Sequence, residues 1–531
     1  MTLARAVALV GGFTMLSRIA GFLRDMVTAA VLGSGPIADA FFIAFRLPNL
    51  FRRLFAEGSF NLAFVPLFAK ELHEHDKAAA RIFAEQAQAA LLALLIPFSA
   101  ILMAAMPYVV LVLAPGLHDQ PQVLGYATEF GRITFPYLLF ISLVSLQGGV
   151  LNTLDRFGHV AVTPILLNLT MIAAGLGLTA YMPNAGYALS WGVLAAGVVQ
   201  YIWLAIVCRT EGFHLRLVWP RWTPAIKRLA LLTLPAAIGG GVQQINSMLD
   251  TIWASFLPSG SISYLYYADR INQLPLGVVG ITIGTALLPM LSRQLRAGQH
   301  DAAMANQNRA MELALLLGLP AAIGLALLAE PIMRSLFQRG AFDAAATAGT
   351  AAALAAYALG LPAYVLVKTL APGFYARHDT KTPLYIAIAA IVGNVVFNLA
   401  LIWSLKHVGI ALASALSGWL NFTLMATILH RRGHFRLDAQ FRRRAPRLVL
   451  ASAAMAAALY GGMELLRAPL HGASLTAILA LAALVLGGAA IYGAAVLALG
   501  GMKLGELRRS LSRGSGTART KMPPEDLPDE D

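Results

Sequence analysis

The sequence predicts an all-α, polytopic membrane protein with about fourteen transmembrane helices. Hydrophobic residues make up 58% of its 531 residues and charged residues only 12%, whereas soluble domains carry about 25% charged residues. Apolar stretches of about 20 residues, long enough to span a bilayer, recur along the chain. Most Lys and Arg residues lie between these stretches, so the net charge of +14 indicates membrane topology rather than nucleic-acid binding.

The predicted helices follow the apolar stretches and end at turn-forming residues. Gly33–Pro36, Pro115-Gly116, Pro183-Asn184 and Pro258–Gly260 separate successive stretches, because glycine favours turn dihedrals and proline lacks a backbone donor. The helices are expected to begin near residues 6, 37, 83, 123, 160, 186, 226, 262, 308, 345, 383, 409, 446 and 474.

The connections between successive predicted helices are alternately basic and nearly uncharged. This alternation predicts which side of the membrane each connection faces. The positive-inside rule places the basic connections, and with them both chain termini, in the cytoplasm. The opposite connections are nearly uncharged apart from Arg339 and Lys406. The basic connections carry Lys70, Lys77, Arg81, Arg156, Arg209, Arg216, Arg221, Lys227, Arg228, Arg293, Arg296, Arg377, Lys381, Arg431, Arg432, Arg436, Arg442, Arg443, Arg444 and Arg447.

A weak internal repeat predicts two pseudo-symmetric lobes of six helices each. Leu32–Ile37 resembles Leu257–Ile262, and His159, Thr163 and Pro164 recur as His378, Thr382 and Pro383, with an offset of roughly 220 residues in both cases. The predicted lobes are residues 1–222 and 223–433, followed by two C-terminal helices in 434–503. Residues 504–531 are polar and are expected to form a disordered cytoplasmic tail. A substrate site would lie between the lobes.

Four arginines within apolar stretches are the candidate substrate-binding residues. A charge at the bilayer centre costs at least about 2.5–3.5 kcal/mol, so such residues should face a cavity or a partner. Too few acids lie near Arg18, Arg24 and Arg52 to neutralise all three, and Arg270 occupies the corresponding helix of the second lobe. Guanidinium groups bind phosphate oxygens bidentately. The pattern therefore predicts a cationic cavity for an anionic amphiphile.

Further polar residues on the same two helices are candidates for gating. Pro48 interrupts the second helix and should kink it. A local salt bridge between Arg53 and Glu57 is an alternative interpretation of that pair, and Asp269 could simply compensate Arg270. The predicted gating and cavity residues are Asp39, Arg46, Arg53, Glu57, Asp269 and Gln273.

Asp250, Asn394 and Asn398 are candidate ligands for a sodium ion. Oxygen ligands in broken helices hold Na⁺ in some transporters, although buried asparagines are also used for interhelical hydrogen bonds. Cys208 is the only cysteine, so neither an intramolecular disulfide nor a thiolate metal cluster is expected. The chain has no P-loop and no nucleophile elbow. We therefore predict no enzymatic activity and no cofactor, with Na⁺ or the membrane potential as possible driving forces.

Several longer motifs resemble the MurJ/MviN family of lipid II flippases, and the resemblance runs through nearly the whole chain. The matching stretches are Ser17–Asp25, Asp39–Leu50, Arg52–Gly58, Phe135–Tyr137, Leu151–Thr153, Tyr266–Arg270, Ala371–Arg377 and Lys381–Pro383.

The resemblance implies a MOP-superfamily exporter that moves lipid II from the cytoplasmic to the periplasmic leaflet for peptidoglycan synthesis. It implies that Arg18, Arg24, Arg52 and Arg270 line a central cavity, that Asp39 is important, and that the last two helices hold the lipid tail. Some relatives have Glu at the position of Gln273 or Lys at that of Arg46. Gln273 therefore argues against a gating salt bridge that requires an acid there.

Three other functions remain open on the residues alone. A cation-coupled drug antiporter would have an acidic cavity, and a membrane glycosyl or phosphosugar transferase would have paired carboxylates with a metal. A scaffold would only bind cell-wall synthesis or division proteins. The expected partners of the flippase are lipid II and membrane lipids, with such proteins as further candidates, and the expected location is the bacterial inner membrane.

Overall fold

Long apolar helices form almost all of the chain that the structure describes. The structure is a computed structural model that describes residues 3–55, 59–472 and 474–502, without the side chains of residues 3–8, 53–55, 59, 234–247, 278–286 and 474. All regular elements in these ranges are helices, which confirms the all-α prediction.

The first half of the chain contains nine α-helices. Two short 3₁₀ turns, Pro115–Asp119 and Thr179–Tyr181, lie between some of them. The helices are α1 (Leu3–Leu32), α2 (Pro36–Phe55), α3 (Ser59–Glu74), α4 (Lys77–Ala104), α5 (Met106–Leu113), α6 (Pro121–Thr134), α7 (Tyr137–Thr153), α8 (Phe157–Gly177) and α9 (Ala185–Thr210).

The second half contains seven α-helices, and three more follow it. The seven are α10 (Pro224–Ser255), α11 (Ser261–Arg296), α12 (His300–Leu327), α13 (Ala329–Phe337), α14 (Ala344–Ala358), α15 (Leu361–Tyr375) and α16 (Lys381–Arg431). The last three are α17 (Ala439–Leu465), α18 (Arg467–Leu470) and α19 (Ser474–Ala498).

Short polar side chains begin several of these helices. Asp76 accepts a hydrogen bond from the Ala79 amide at the start of α4, and Asp343 caps α14 in the same way through Ala346. Asn184 caps α9 and Asp438 caps α17. Each cap satisfies backbone donors that the first helical turn leaves without an internal partner.

Helix α16 joins two of the predicted helices across a sharp break. It runs for 51 residues, and Lys406 inside it has a φ of 51° and a ψ of −131°. A lysine with positive φ is uncommon, so the break is a specific feature of the fold. It lies close to residue 409, where a new helix was predicted.

Within the described residues, nine helical segments are long and apolar enough to cross a membrane, and α16 is one of them. Helices α6 and α7 form one such segment, and α14 and α15 form another. The segments confirm a polytopic membrane protein. The number fourteen, like the lobe boundaries, remains a prediction.

The connections between helices fall into two groups, within which several are joined by hydrogen bonds or ion pairs. One group, which we call the basic end, contains residues 75–76, 154–156, 211–223, 297–299, 376–380 and 432–438. The opposite end contains residues 33–35, 114–120, 178–184, 256–260, 338–343 and 466–473.

Each half packs mainly within itself. In the first half α1 packs on α8, α8 on α9, and α2 on α6. In the second half α11 packs on α12 and on α14, and α12 packs on α15. Helix α17 packs against both α19 and α12. The halves meet where α10 and α11 contact α2 and α3, and this interface contains the candidate site.

Candidate functional site

A buried group of charges joins the two halves at the middle of α1 and the first turns of α11. The Arg24 guanidinium contacts the Asp25 carboxylate at 2.6 Å and donates to the Asn168 side chain on α8 at 3.0 Å. The other Asp25 oxygen lies 3.9 Å from Nε of Arg270 on α11. We call Arg24, Asp25, Asn168 and Arg270 the cation cluster. Two arginines share one carboxylate in it, so these four residues together carry a net positive charge. Asp269, adjacent to Arg270 on α11, lies outside the four and also interacts electrostatically with Arg270.

Aromatic rings hold the two arginines in place. The Arg270 guanidinium lies 4.8 Å from the centre of the Tyr266 ring and donates to the Tyr266 hydroxyl at 3.0 Å. Tyr266 in turn stacks on Phe42 of α2, with ring centres 3.8 Å apart. Arg24 lies 6.0 Å from the centre of the Phe45 ring. These contacts orient the guanidinium groups and leave 37% of the Arg270 side chain exposed, which is sufficient to bind a ligand.

Arg18 lies one to two turns from the cluster and also reaches α11. Its side chain is exposed, and its guanidinium lies against Gly277, where an added Cβ would lie 2.4 Å from Nη1. Arg52 lies near the end of α2 and is half-buried. The structure thus brings Arg24 and Arg270 together and places Arg18 at the same interhelical boundary, while Arg52 lies farther along α2.

The predicted gating residues fall into different environments. Arg46 of α2 is close enough to Asp250 and Asp269 of the second half to interact electrostatically with both. Gln273 donates to Asp269 one helical turn away. The Asp269 carboxylate of α11 therefore has the Gln273 amide as a hydrogen-bond partner. The Arg53 side chain and Glu57 lie outside the described residues.

Asp39 caps a helix of the opposite half. Its carboxylate accepts hydrogen bonds from the backbone amides of Gly260 at 2.5 Å and Ser263 at 2.8 Å, at the start of α11. The Ser259 hydroxyl donates to it at 3.5 Å. Acidic groups stabilise helix N-termini, so Asp39 connects α2 to the first turn of α11 in this conformation.

Further contacts across the halves surround Asp39. We call the contacts that Ala30, Gly33, Asp39, Gly116 and Gln120 of the first half make with the second half the latch. The Ala341 amide donates to the Ala30 carbonyl at 2.7 Å. The Tyr267 hydroxyl donates to the Gly33 carbonyl at 3.2 Å. Gly33 has a φ of 66°, and a Cβ there would lie 2.4 Å from the Ala341 carbonyl oxygen. Glycine is therefore required on steric grounds at this contact.

The latch continues at the connection between α5 and α6. The Gly116 amide donates to the Ser255 hydroxyl at 3.0 Å, and the Gln120 side chain donates to the backbone carbonyls of Ser255 and Leu257 at 3.4 Å each. The two halves are therefore joined by hydrogen bonds at the end opposite the basic end. Most of these bonds use backbone groups.

A second polar group, which we call the acid cluster, lies inside the second half. The Ser414 hydroxyl donates to Asp250 at 3.0 Å, and the Tyr357 hydroxyl donates to the same carboxylate at 3.3 Å. The Asn394 amide donates to Ser414 at 3.3 Å, and the Asn398 amide donates to the Asn394 side-chain oxygen at 3.0 Å. The structure thus connects the three predicted sodium ligands through Ser414.

One oxygen in the acid cluster lacks a donor. The side chain of Asn398 is fully buried, and its Oδ1 has no hydrogen-bond partner in the described part of the chain. An unsatisfied buried acceptor is costly. Carboxylate, hydroxyl and amide oxygens together form a donor set that suits a hard cation such as Na⁺.

Two residues of these sites, Asn168 and Ser414, were not predicted from the sequence, and Lys368 is a further intramembrane charge that was not identified. Asn168 and Ser414 are partners of predicted residues, but they lie far from them along the chain. Lys368 lies on α15 one turn after Tyr364, which interacts electrostatically with Asp250 and Asp269. Its side chain is exposed although it lies within a membrane-spanning segment. A charge in an apolar segment was the signal that could have identified Lys368.

A family model described as lipid II flippase MurJ matches residues 28–481 of the chain. The chain is 46% identical over 524 residues to the probable lipid II flippase MurJ of Rhizobium meliloti (strain 1021), with 97% of each chain covered. These matches confirm the resemblance that the motifs indicated.

Solved structures give the same result for the fold. A lipid II flippase MurJ in an inward-closed conformation superposes with a TM-score of 0.73 at 25% identity, over 91% of this chain and 98% of that one. An inward-facing multidrug-resistance MATE transporter of the MOP superfamily superposes with a TM-score of 0.64 at 14% identity, over 78% and 95%. At that identity the second likeness concerns the fold alone.

Proposed function

The chain belongs to the MurJ family of lipid II flippases, and we propose that it moves lipid II from the cytoplasmic to the periplasmic leaflet by alternating access. Membership of this family makes it a multi-pass transporter of the bacterial inner membrane and not an enzyme. Lipid II carries its peptidoglycan precursor on a pyrophosphate. The observation that carries the proposal is the net positive cation cluster between the two halves.

The arginines of the cluster would bind the pyrophosphate. Arg24 and Arg270 both contact the Asp25 carboxylate. An incoming phosphate would accept bidentate hydrogen bonds from their guanidinium groups. Arg18 and Arg52 would contact the same head group as it moves along the cavity. The polyprenyl tail would remain in lipid along the groove formed by the C-terminal helices.

The latch would be the gate on the periplasmic side. The present arrangement, with Asp39 on the α11 N-terminus and Ala341 on Ala30, joins the halves at that end and would belong to a state closed to the periplasm. Opening would separate α2 from α11 and release the α11 amides. The kinks at Pro48 and Pro275 would allow the helices to bend. Arg46, Arg53, Glu57, Asp269 and Gln273 would rearrange as the cytoplasmic side closes.

The orientation follows from the charges of the connections. With the basic end in the cytoplasm, both termini are cytoplasmic and the latch faces the periplasm. The two lobes, residues 1–222 and 223–433, would rock against each other about the cavity. Membrane potential would act on any arginine that moves, with about 2.3 kcal/mol per charge per 100 mV.

The acid cluster would bind Na⁺ and couple its gradient to this motion. Asp250 would supply the negative charge, and Ser414, Asn394 and Asn398 would supply neutral oxygens. The Asn398 oxygen without a donor supports this assignment. A bound cation would stabilise the packing of α10 against α16, where these residues lie.

A leaflet assay tests the proposed function directly. Cells depleted of their own lipid II flippase would express this chain, and lipid II exposed on the periplasmic face would be counted. The wild-type chain is expected to restore exposure and Arg24→Ala to abolish it at equal membrane levels. Arg296→Ala, an exposed arginine at the end of the same helix as Arg270, is the matched control and is expected to behave like wild type.

The opposite result would be equally informative. If wild-type protein reached the membrane at normal levels and lipid II remained on the cytoplasmic face, the lipid II assignment would be wrong. If Arg24→Ala and Arg270→Ala both restored full exposure, the cation cluster would not be the binding site.

A further inference from the structure

The two halves are joined by a non-helical segment that is fixed to the first half. Residues 211–223, which we call the linker, contain no helix. The Arg216 amide donates to Glu85 at 3.1 Å and the Arg221 amide donates to Gln86 at 2.9 Å, both on α4. Phe213 is buried against Phe68, with ring centres 5.6 Å apart. The linker therefore has a fixed path along α4.

The outer face of the linker is unusually apolar for an exposed segment. Leu217 is 77% exposed, Trp219 is 85% exposed and Trp222 is 80% exposed. Exposing a large apolar side chain to water instead of burying it costs about 1.5–3 kcal/mol. Tryptophan is enriched where membrane proteins cross the head-group region, because its ring is apolar and its N–H is polar.

The position of the linker agrees with that depth. Glu85 lies eight residues after the start of α4 at Lys77, which corresponds to about 12 Å along the helix. The linker contacts α4 there and connects two helices at the basic end. With the basic end in the cytoplasm, as proposed above, this part of the bundle would lie at the level of the lipid head groups.

The charged side chains of the linker and its flanking turns are mostly basic, and Glu85 of α4, which contacts the linker, is also close to Arg81. The single acid of the linker, Glu211, is paired with Arg156 at 2.8 Å, so it does not offset the linker arginines. The basic residues of the linker and its flanking turns are Arg209, Arg216, Arg221, Lys227 and Arg228.

We propose that the linker is a binding surface for the anionic phospholipids of the leaflet at the basic end. Trp219 and Trp222 insert at the level of the head groups, and Arg216 and Arg221 bind phosphate groups beside them. Each basic residue near an anionic surface contributes about 1 kcal/mol. This contact is stationary and does not depend on which lipid is transported. It would hold the connection between the two halves at a fixed depth while they move.

The test uses the full chain in vesicles. Leu217→Cys, which leaves both tryptophans in place, would be labelled with an environment-sensitive dye, since Leu217 is 77% exposed and the native Cys208 is buried. Quenching by nitroxide-labelled phosphatidylglycerol would be compared with quenching by nitroxide-labelled phosphatidylcholine. Blue-shifted emission and preferential quenching by phosphatidylglycerol are expected. Arg216→Gln with Arg221→Gln should lower that preference by about fivefold for each arginine removed.

The matched control removes two exposed arginines from the same end of the bundle. Arg442→Gln with Arg443→Gln on α17 should leave the preference unchanged. Water-like emission that iodide quenches in every lipid mixture would overturn the proposal and leave this face for a soluble protein partner. Equal quenching by the two lipids would also overturn it, because insertion without anionic selectivity does not require the arginines.

Discussion

The cation cluster and the acid cluster are both polar sites within the membrane, but they differ in how their charge is balanced. In the cation cluster, Asp25 lies between Arg24 at 2.6 Å and Arg270 at 3.9 Å. In the acid cluster, hydroxyl groups of Ser414 and Tyr357 donate to Asp250. The first site therefore has an excess of cations across two halves, and the second has an acid supported mainly by neutral groups within one half.

This difference indicates what each site can bind and what its loss would do. A site with two guanidinium groups and one carboxylate favours an anion, and its carboxylate also holds the halves together. A site with one carboxylate and several neutral oxygens favours a small cation. Removal of the acid should therefore destabilise the cation cluster, whereas in the acid cluster it should mainly remove ligand binding.

Asp25→Asn is expected to have the largest effect. It removes the carboxylate that Arg24 and Arg270 both contact, and breaking a buried ion pair costs about 3–5 kcal/mol. The Tm of the purified protein in detergent should fall by many degrees. Glu330→Gln is the matched control, since Glu330 pairs with Arg334 but is 58% exposed, and exposed pairs contribute about 0–1 kcal/mol. Equal Tm values for the two variants would contradict this account of the cluster.

Asp250→Asn is expected to affect a response to sodium rather than the fold. Wild-type protein should gain thermal stability when NaCl replaces KCl, by about 2.7 kcal/mol at a concentration of 100 Kd. The variant should keep its Tm in KCl and lose the gain in NaCl. If the two proteins responded to NaCl alike, Asp250 would not be a sodium ligand.

Asn168→Leu should have an intermediate effect on the cation cluster. Asn168 accepts from Arg24 and donates to the Ser17 carbonyl at 3.1 Å, so it orients the guanidinium without carrying charge. Losing a hydrogen bond to a charged group costs about 1.5 kcal/mol, so the rate of lipid II transport should fall about tenfold. Asn168→Asp keeps the acceptor and should lose less. Transport by Asn168→Leu at the wild-type rate would show that Asp25 alone positions Arg24.

Asp379→Asn, which removes an ion pair outside the membrane, is expected to have the smallest effect among these variants. Asp379 accepts hydrogen bonds from the Thr382 amide at 2.9 Å and from Arg432 at 2.6 Å. The hydrogen bonds from Thr382, and to a smaller extent Arg432, lower the pKa of the Asp379 carboxyl group to about 2. The folded pKa lies below the unfolded one, so this stabilisation is present above pH 4 and is lost as the pH falls toward 2.

Because the Asp379 side chain is only partly buried and its partner Arg432 is 44% exposed, its contribution should stay below about 1 kcal/mol. Asp379→Asn should therefore lower the Tm slightly and equally at pH 6 and pH 8, and the difference from wild type should shrink near pH 3. A difference as large as that of Asp25→Asn would contradict the distinction between buried and exposed pairs.

Charges in apolar segments made parts of both clusters predictable. Arg24 and Arg270 stood out because hydropathy gives no reason for them, and Asp250, Asn394 and Asn398 stood out for the same reason. Their partners did not. Asn168 lies 144 residues from Arg24 and Ser414 lies 164 residues from Asp250, and no local spacing connects residues so far apart.

The role of Asp39 illustrates the same limit. Its position on a helix with several arginines predicted a gating residue. In the structure its partners include the backbone amides of Gly260 and Ser263. Backbone donors carry no signal in the amino-acid sequence, so only the packing of α2 against α11 could identify them. The break at Lys406 was also located only to within a few residues.

The latch has a consequence for how the protein responds to water itself. Its hydrogen bonds are made largely by backbone groups and one carboxylate, and each of these groups would have to be solvated if the halves separate at that end as proposed. Water molecules would then be taken up as if they were a ligand of the open form. A solute too large to enter the opened end would lower the water activity and favour the latched form, so osmotic stress on that side should slow a cycle limited by opening, with the logarithm of the rate falling in proportion to the number of waters admitted.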